Sequence, residues 1–130
     1  MKTNFSIEVN VLLTGREKIT YHVTNQRITV TEYSFNNEPK NVKVNRNLTP
    51  AETKKFTAFL SGFPLAQLKN QYVHSNIEGE IAFRYKINVN SIYKEIYVYY
   101  KNQKNLSELN NRINALLPVN LHLSLRGYQE

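Results

Sequence analysis

The sequence predicts an α+β protein, with an antiparallel sheet of six or seven strands and two helices packed on one face of that sheet. Three observations favour this class. Apolar and polar residues alternate through most of the first half of the chain, and they alternate again in the final third. Two segments, at 49–63 and 106–117, instead carry apolar residues at helical spacing. Alternation indicates a strand with one buried face, and helical spacing indicates a helix that buries one stripe, so the predicted order is β-β-β-β-α-β-β-α-β.

The first half predicts a meander of four strands. Turns are expected at 15–17, which contains a glycine, and at 25–26, where Asn and Gln stand between two apolar runs. The predicted cross-strand neighbours are Leu13 with Ile19 and Val23 with Ile28. The buried faces are expected to carry Phe5, Ile7, Val9, Val11 and Leu13, then Ile19, Tyr21 and Val23, and then Ile28 and Val30. Val42 and Val44 mark a short fourth strand.

The first helix has clear boundary signals. Thr49 is the predicted N-cap, Pro50 occupies the first helical position, and Glu52 completes a capping box. Gly62 is expected to end the helix in a left-handed conformation. The apolar stripe is Phe56, Phe59, Leu60 and Phe63.

The final third predicts a hairpin, a second helix and a last strand. A turn at Asn90 and Ser91 joins the hairpin strands, and the helix covers about 106–117, with Asn105 as its cap and Pro118 at its end. The predicted hairpin neighbours are Val89 with Ile92, Tyr85 with Ile96, Phe83 with Val98, Lys86 with Glu95 and Arg84 with Tyr97. The last strand is expected to carry Val119, Leu121, Leu123 and Leu125.

Length and composition exclude several classes of protein. The 130 residues are expected to form a single domain, 1–130. The absence of cysteine excludes disulfides, thiolate chemistry and zinc fingers, and the absence of aspartate excludes an aspartate-oriented triad and an EF-hand. No apolar run approaches the about 20 residues that span a membrane, so no membrane is expected as a partner. No signal core opens the chain, so a cytoplasmic location is expected, although an exported protein without its leader would look the same.

The net charge of +7 has two explanations. A basic surface is the footprint of nucleic-acid binding. The chain also contains 18 asparagines together with many lysines, isoleucines and tyrosines, a mixture that A+T-rich coding sequence produces without selection for binding. Because the cations are dispersed, with no run of five or more, the compositional explanation is favoured.

The residues offer no catalytic or metal-binding constellation. Histidines stand at His22, His74 and His122, without the i, i+4 or H-x-H spacing of a metal site. Glu78 and Glu80 have the spacing of a solvated strand entrance, and no G-x-S-x-G, P-loop or dinucleotide glycine pattern occurs. We therefore expect a protein that is not an enzyme and that uses no metal and no cofactor.

The sheet face opposite the helices, which we call the polar face, is the candidate site and is expected to be open. Its candidate binding residues are Arg84, Lys86, Tyr93, Tyr97, Tyr99, Arg27 and Tyr33, and its other expected members are Thr29, Thr31, Lys43, His122 and Arg126. Tyrosine and arginine are enriched at binding hot spots, but tyrosine and threonine are also common on any half-exposed sheet. The sequence therefore predicts an interaction module for a protein partner or a homodimer. The alternative is salt-dependent binding of single-stranded nucleic acid by the basic side chains of this face.

Packing and capping motifs run through most of the chain. They are L-T-P-A-E before a helix with F-x-x-F-L, a Y-x-I-x-V hairpin strand, and L-x-x-L-N-x-x-I-N-A-L-L-P. In these the chain resembles small uncharacterised bacterial α+β families, especially those of Bacteroidetes-like genomes. The resemblance implies the same α+β fold and a bacterial protein, and it implies no activity for any residue.

Overall fold

Seven strands form one sheet, and two α-helices cover one of its faces, in the computed structural model of the chain. The structure describes residues 4–13, 16–33, 39–73, 81–99 and 103–123, and the elements named here lie within them. The strands are β1 (Phe5–Leu13), β2 (Arg16–Thr24), β3 (Arg27–Tyr33), β4 (Pro39–Asn47), β5 (Gln71–Val73), β6 (Ile81–Val89) and β7 (Ile92–Tyr99). The helices are α1 (Pro50–Ser61) and α2 (Lys104–Asn114), with 3₁₀ turns at Leu65–Gln67 and Val119–Leu121. The predicted α+β class is confirmed.

The strands lie side by side in the order β4-β3-β2-β1-β6-β7-β5. Neighbours are antiparallel, except that β5 runs parallel to β7. β1 and β6 pair without interruption, from Phe5 opposite Val89 to Leu13 opposite Ile81. This pairing joins the meander of the first half to the hairpin of the final third, so both halves bury their apolar residues on the same side.

The β6–β7 hairpin has the predicted register. Asn90 and Ser91 have φ values of 50° and 72°, the left-handed pair that a two-residue hairpin turn requires. The five predicted cross-strand pairs are all present: Val89 with Ile92, Tyr85 with Ile96, Phe83 with Val98, Lys86 with Glu95, and Arg84 with Tyr97. Short turns fix registers of this kind locally.

The β1–β2 register differs from the prediction, whereas the β2–β3 register agrees with it. Val23 lies opposite Ile28, as expected from a tight turn at 25–26. Ile19, by contrast, lies opposite Val11 rather than Leu13, because β2 already begins at Arg16, opposite Leu13, and Lys18 then forms a bulge. The expected turn at 15–17 is therefore wrong at residues 16 and 17, which belong to β2, and residue 15 lies outside the described residues.

Helix α1 begins as predicted and ends differently. The Thr49 side chain accepts a hydrogen bond from Glu52 N, and the Glu52 carboxylate accepts one from Thr49 N at 2.9 Å. Gly62 has φ −105°, so the expected left-handed ending is wrong. The helix closes instead through a tighter bond from Gly62 N to Phe59 O, which needs no positive φ.

Helix α2 begins two residues earlier than predicted. Gln103 rather than Asn105 is the N-cap, and its side-chain oxygen accepts a hydrogen bond from Leu106 N at 2.9 Å. The α-helix ends at Asn114, and residues up to Leu117 continue with tighter bonds, including one from Leu117 N to Asn114 O. The predicted apolar stripe is confirmed, because Leu106, Leu109 and Ile113 are fully buried.

The predicted last strand is wrong. Val119–Leu121 forms a 3₁₀ turn, and Leu123 is held by Asn114, whose side-chain amide bonds both its N–H and its carbonyl at 2.6 Å. Because Asn114 takes the backbone groups that a strand would use, Leu123 packs into the core outside the sheet. The seventh strand is β5, between α1 and the hairpin, where the predicted order of elements contains no strand. Leu125 and Arg126 lie outside the described residues.

The core lies between the sheet and the helices. Phe5 of β1 stacks on Phe56 of α1, with ring centroids 5.1 Å apart. Tyr85 of β6 is fully buried, and its hydroxyl donates to Asn110 Oδ1 of α2 at 2.9 Å. Asn110 lies within the apolar stripe of α2, where a buried amide requires a polar partner. These contacts place both helices on the same face of the sheet, as predicted.

Arg46 ties the edge of the sheet to both helices. Its guanidinium donates to both carboxylate oxygens of Glu52 at 2.9 and 3.0 Å, and to the Leu116 carbonyl at 2.9 Å. The hydrogen bonds from Arg46, and then those from Thr49, lower the pKa of Glu52 to about 2. One side chain of β4 therefore fixes the start of α1 and the end of α2.

A lysine and a tyrosine attach two connections to the core. Lys94 lies on the apolar side of β7 and donates to the carbonyls of Ala66 and Leu68, at the 3₁₀ turn. Tyr21 donates its hydroxyl to the Leu121 carbonyl at 2.9 Å, and burial raises the pKa of Tyr21 to about 12.

Replacing only one partner of the Tyr85–Asn110 pair should be costly. We expect Tyr85→Phe or Asn110→Leu to lower the free energy of unfolding by about 1–3 kcal/mol each, because each leaves a buried polar group without this partner. The double variant should lose less than the sum of the two. Urea unfolding of the four proteins measures the coupling, and strict additivity would contradict the pairing.

The Arg46–Glu52 pair should make stability depend on pH in an acidic window. Because folding lowers the pKa of Glu52 from 4.5 to about 2, its contribution is fully present above about pH 4.5 and is lost as the pH falls towards 2. We expect Glu52→Gln to cost about 1 kcal/mol or less at neutral pH, and the cost to shrink steadily as the pH falls from 4.5 through 2. Urea unfolding over this range tests it, with exposed Glu108→Gln as the control, which should show no such convergence.

Candidate functional site

The polar face is built from alternate residues of five neighbouring strands. The sheet registers arrange them in rows that run across the strands. The central row is His22, Glu8, Lys86 and Glu95, on β2, β1, β6 and β7; one flanking row is Thr24, Ser6, Asn88 and Tyr93, and the other is Thr20, Asn10, Arg84 and Tyr97. β3 adds Arg27, Thr29 and Thr31, and Tyr99 extends β7.

The central row places one ammonium group between two carboxylates. Lys86 Nζ lies 3.7 Å from Glu8 Oε2, and these two side chains are 38% and 33% exposed. Glu95 lies opposite Lys86 on its other side. His22 lies opposite Glu8, and its Nε2 is 3.1 Å from Ser6 Oγ. The row is therefore polar and partly solvated.

Part of the polar face is buried, in contrast to the expectation that it is open. Asn10 is only 1% exposed; its Nδ2 donates to Glu8 Oε2 at 2.9 Å, and its Oδ1 accepts from Thr20 Oγ1 at 2.7 Å. Beyond it, Leu12 and Ala82 face each other across β1 and β6 and are also buried. The accessible part of the face is thus centred on the central row and the β7 side.

Three tyrosines line the β7 side of this face. The rings of Tyr97 and Tyr99 lie nearly parallel, with centroids 6.3 Å apart, and both are half-buried. Tyr93 is 55% exposed, and its hydroxyl donates to Glu95 Oε1 at 3.3 Å. Partial loss of contact with water, and then the charge of the adjacent Glu95 carboxylate, raise the pKa of Tyr93. Arg84, directly opposite Tyr97, has its Nε atom buried from solvent.

The structure brings five of the seven candidate residues together. Arg84, Lys86, Tyr93, Tyr97 and Tyr99 share the adjacent strands β6 and β7. The other two are elsewhere on the sheet: Arg27 and Tyr33 lie on β3, which β2 and β1 separate from β6.

Three other expected members differ in position or partner. Lys43 lies at an irregular point of β4, and its ammonium is 3.8 Å from Glu32. His122 lies outside the sheet and donates from Nε2 to the Leu117 carbonyl at 3.1 Å, so it does not meet His22. Arg126 lies outside the described residues.

Sequence reasoning missed the small polar residues that complete the face. Asn10, Thr20 and Asn88 interleave with the tyrosines and charges, yet asparagine and threonine are too abundant here for any one of them to stand out. Glu8 also lies on this face and pairs with Lys86.

The excess positive charge of the chain is not concentrated on this face. Its described cations are Arg27, Arg84 and Lys86, and its described carboxylates are Glu8 and Glu95, an excess of one against +7 for the whole chain. Arg27 also donates to Asn45 of β4. Other cations, such as Lys54 and Lys55 of α1, are exposed on the helix side.

A shallow groove on the other side of the molecule is a weaker candidate. It encloses about 850 Å³ between the β2–β3 turn and α1. Its polar groups already serve the fold, because Thr53 Oγ1 donates to the Asn25 carbonyl and Asn25 Oδ1 accepts from Phe5 N. The groove gathers no acid–base pair among Asn25, Gln26, Asn47, Thr53, Lys54 and Thr57.

Neither a metal cluster nor a membrane helix is found in the described part of the chain. Among residues 4–13, 16–33, 39–73, 81–99 and 103–123, no three histidine or glutamate side chains come together as a metal site would require. Neither described helix has the length and apolar content needed to cross a bilayer.

Comparison with known proteins gives no relative from which a role could be carried over. No family model matches the chain, and no curated protein or solved structure matches it. The residues of the polar face are therefore the features of this chain that bear on its function.

The buried amide of the polar face should matter more to stability than its charges. We expect Asn10→Ala to lower the free energy of unfolding by about 1–3 kcal/mol, because it removes two hydrogen bonds at a buried site. Lys86→Ala should change it by about 0.5 kcal/mol or less, as is usual for a partly solvated ion pair. Urea unfolding at pH 7 measures the free energy of unfolding of both variants. Equal losses would contradict the greater structural role of the buried amide.

Proposed function

We propose that the chain is a non-enzymatic interaction module that binds a protein, either a different one or a second copy, through the polar face. The observation that supports this most is the grouping of Arg84 with Tyr93, Tyr97 and Tyr99 on adjacent strands. Tyrosine and arginine present large contact areas and several hydrogen-bonding groups, which makes them frequent hot spots at protein interfaces. A bacterial, cytoplasmic protein, with export as the alternative location, is part of this proposal.

The edges of the sheet favour a face over an edge as the binding surface. β4 begins with a proline, carries two register shifts against β3 and bears Lys43, and β5 at the other edge has only three residues. Irregular, charged or very short edge strands are poor templates for adding another strand. A partner therefore has more to gain from the side chains of the polar face.

The charge balance of the polar face favours a protein partner over nucleic acid. Nucleic-acid binding draws its affinity from cations that replace counterions along the phosphates. Lys86 is paired with Glu8, and Glu95 stands on its other side. The parallel rings of Tyr97 and Tyr99 are the feature that keeps single-strand binding as the alternative, because bases stack on such rings.

The double variant Arg84→Ala/Tyr97→Ala should abolish partner binding. We expect the immobilised wild-type protein to retain specific proteins from a lysate of its source cells. The double variant should retain at least tenfold less of each of these proteins. Lys54→Ala/Lys55→Ala on exposed α1 removes two cations away from the polar face and should retain them. Quantitative mass spectrometry of the eluates measures this, and retention by the Arg84/Tyr97 variant equal to wild type would refute the proposal.

Titration of the same proteins with a fluorescent mixed-sequence oligonucleotide tests the alternative function, which is binding of single-stranded nucleic acid. A micromolar affinity that falls steeply between low and high salt, and that the Arg84/Tyr97 variant lacks, would replace the protein partner with nucleic acid.

A further inference from the structure

We propose that the occupant of the polar face is a second copy of this chain, packed sheet against sheet about a two-fold axis between β1 and β6. This inference rests on the proposed function, because it names the partner of the same face. The order of charges in the central row and the distribution of large and small residues in the flanking rows support it.

The central row is self-complementary about its midpoint. That midpoint lies between Glu8 and Lys86, which are paired across β1 and β6. One strand further out on each side, the imidazole of His22 and the carboxylate of Glu95 occupy equivalent positions. Glu8 with Lys86 is a pair of opposite charges, and an imidazole N–H of His22 can donate a hydrogen bond to a carboxylate such as that of Glu95.

A half-turn about an axis parallel to the strands brings these pairs into contact. The rotation places β1 of one copy over β6 of the other, and β2 over β7. Glu8 then faces Lys86 of the second copy, and His22 faces Glu95, with each contact formed twice, as a two-fold interface requires. The strands of the two sheets stay roughly aligned, which is the common geometry for sheets that pack face to face.

The flanking rows are complementary in size under the same rotation. The β7 side carries the large residues Tyr93 and Tyr97, and the β2 side carries Thr24 and Thr20 in the corresponding rows. The half-turn therefore lays each tyrosine over a threonine of the second copy. Large side chains over small ones allow two sheets to approach closely, as in a well-packed layer.

The face is large enough for a stable dimer. The five strands that carry the polar face, of up to nine residues each, give roughly 24 Å by 30 Å, or roughly 700 Å² per copy, from the usual strand spacing and rise. A standard interface buries about 600–1,000 Å² per partner. The axis between β1 and β6 lies near the middle of the sheet, with four strands on one side and three on the other, so most of the face overlaps.

A charge-exchange experiment tests the axis. Sedimentation equilibrium is run on the wild-type protein, on Glu8→Lys, on Lys86→Glu, on their double variant and on an equimolar mixture of the two single variants. In a homodimer of either single variant, like charges meet at both central contacts, whereas a mixed dimer pairs opposite charges at both. We expect each single variant to dimerise at least tenfold more weakly than wild type, and the double variant and the mixture to recover.

Two matched controls carry the same changes of charge away from the polar face. Glu108→Lys on α2 and Lys55→Glu on α1 are exposed and should dimerise as wild type. Circular dichroism of each variant serves as the test of folding. Glu8 and Lys86 are both partly exposed, so the fold should tolerate these substitutions.

The outcomes separate this inference from the proposed function. A wild-type protein that stays monomeric, single variants that dimerise normally, or a mixture that fails to recover would each overturn the two-fold axis. If Arg84→Ala/Tyr97→Ala still loses a captured protein, the proposed function stands with a different partner. If that capture is also unchanged, both are refuted.

Discussion

The fold depends on the pairing of β1 with β6. Within each half most neighbouring strands are consecutive in the chain, and the pairing of β1 with β6 alone makes the halves one sheet. Its register sets which side chains of both halves share a face, since a slip of one residue would exchange the buried and exposed sets. The apolar layer under the helices and the charged central row of the polar face therefore both follow from this one alignment.

The same constraint explains what the sequence could predict. Hairpin neighbours such as Tyr85 with Ile96 follow from a turn a few residues away, and they agree with the structure. The β1–β6 pairing and the parallel pairing of β5 with β7 join residues far apart in the chain, so no local sequence pattern predicts them. Local signals also misled where a side chain competed for the backbone, as Gln103 does at the start of α2 and Asn114 does after its end.

The candidate site was predictable in type more than in detail. Alternation placed the tyrosines and cations of β6 and β7 on the face away from the helices, and the structure groups them there. The alternation could not predict that Asn10 is buried on that face. Its burial depends on how several strands and connections pack around it, which no local pattern encodes. Nor could it show that Lys86 and Glu8 neutralise each other across β1 and β6.

The long separation between β1 and β6 also bears on how the protein is made. During synthesis the first four strands are complete well before residues 81–89 emerge, and until then β1 has β2 on one side and an unpaired edge on the other. An apolar strand with a free edge is prone to pair with another chain. Late, non-local pairing is also intrinsically slow to form. A chaperone would therefore protect this protein most during synthesis, when the first four strands are complete and β6 has not yet emerged.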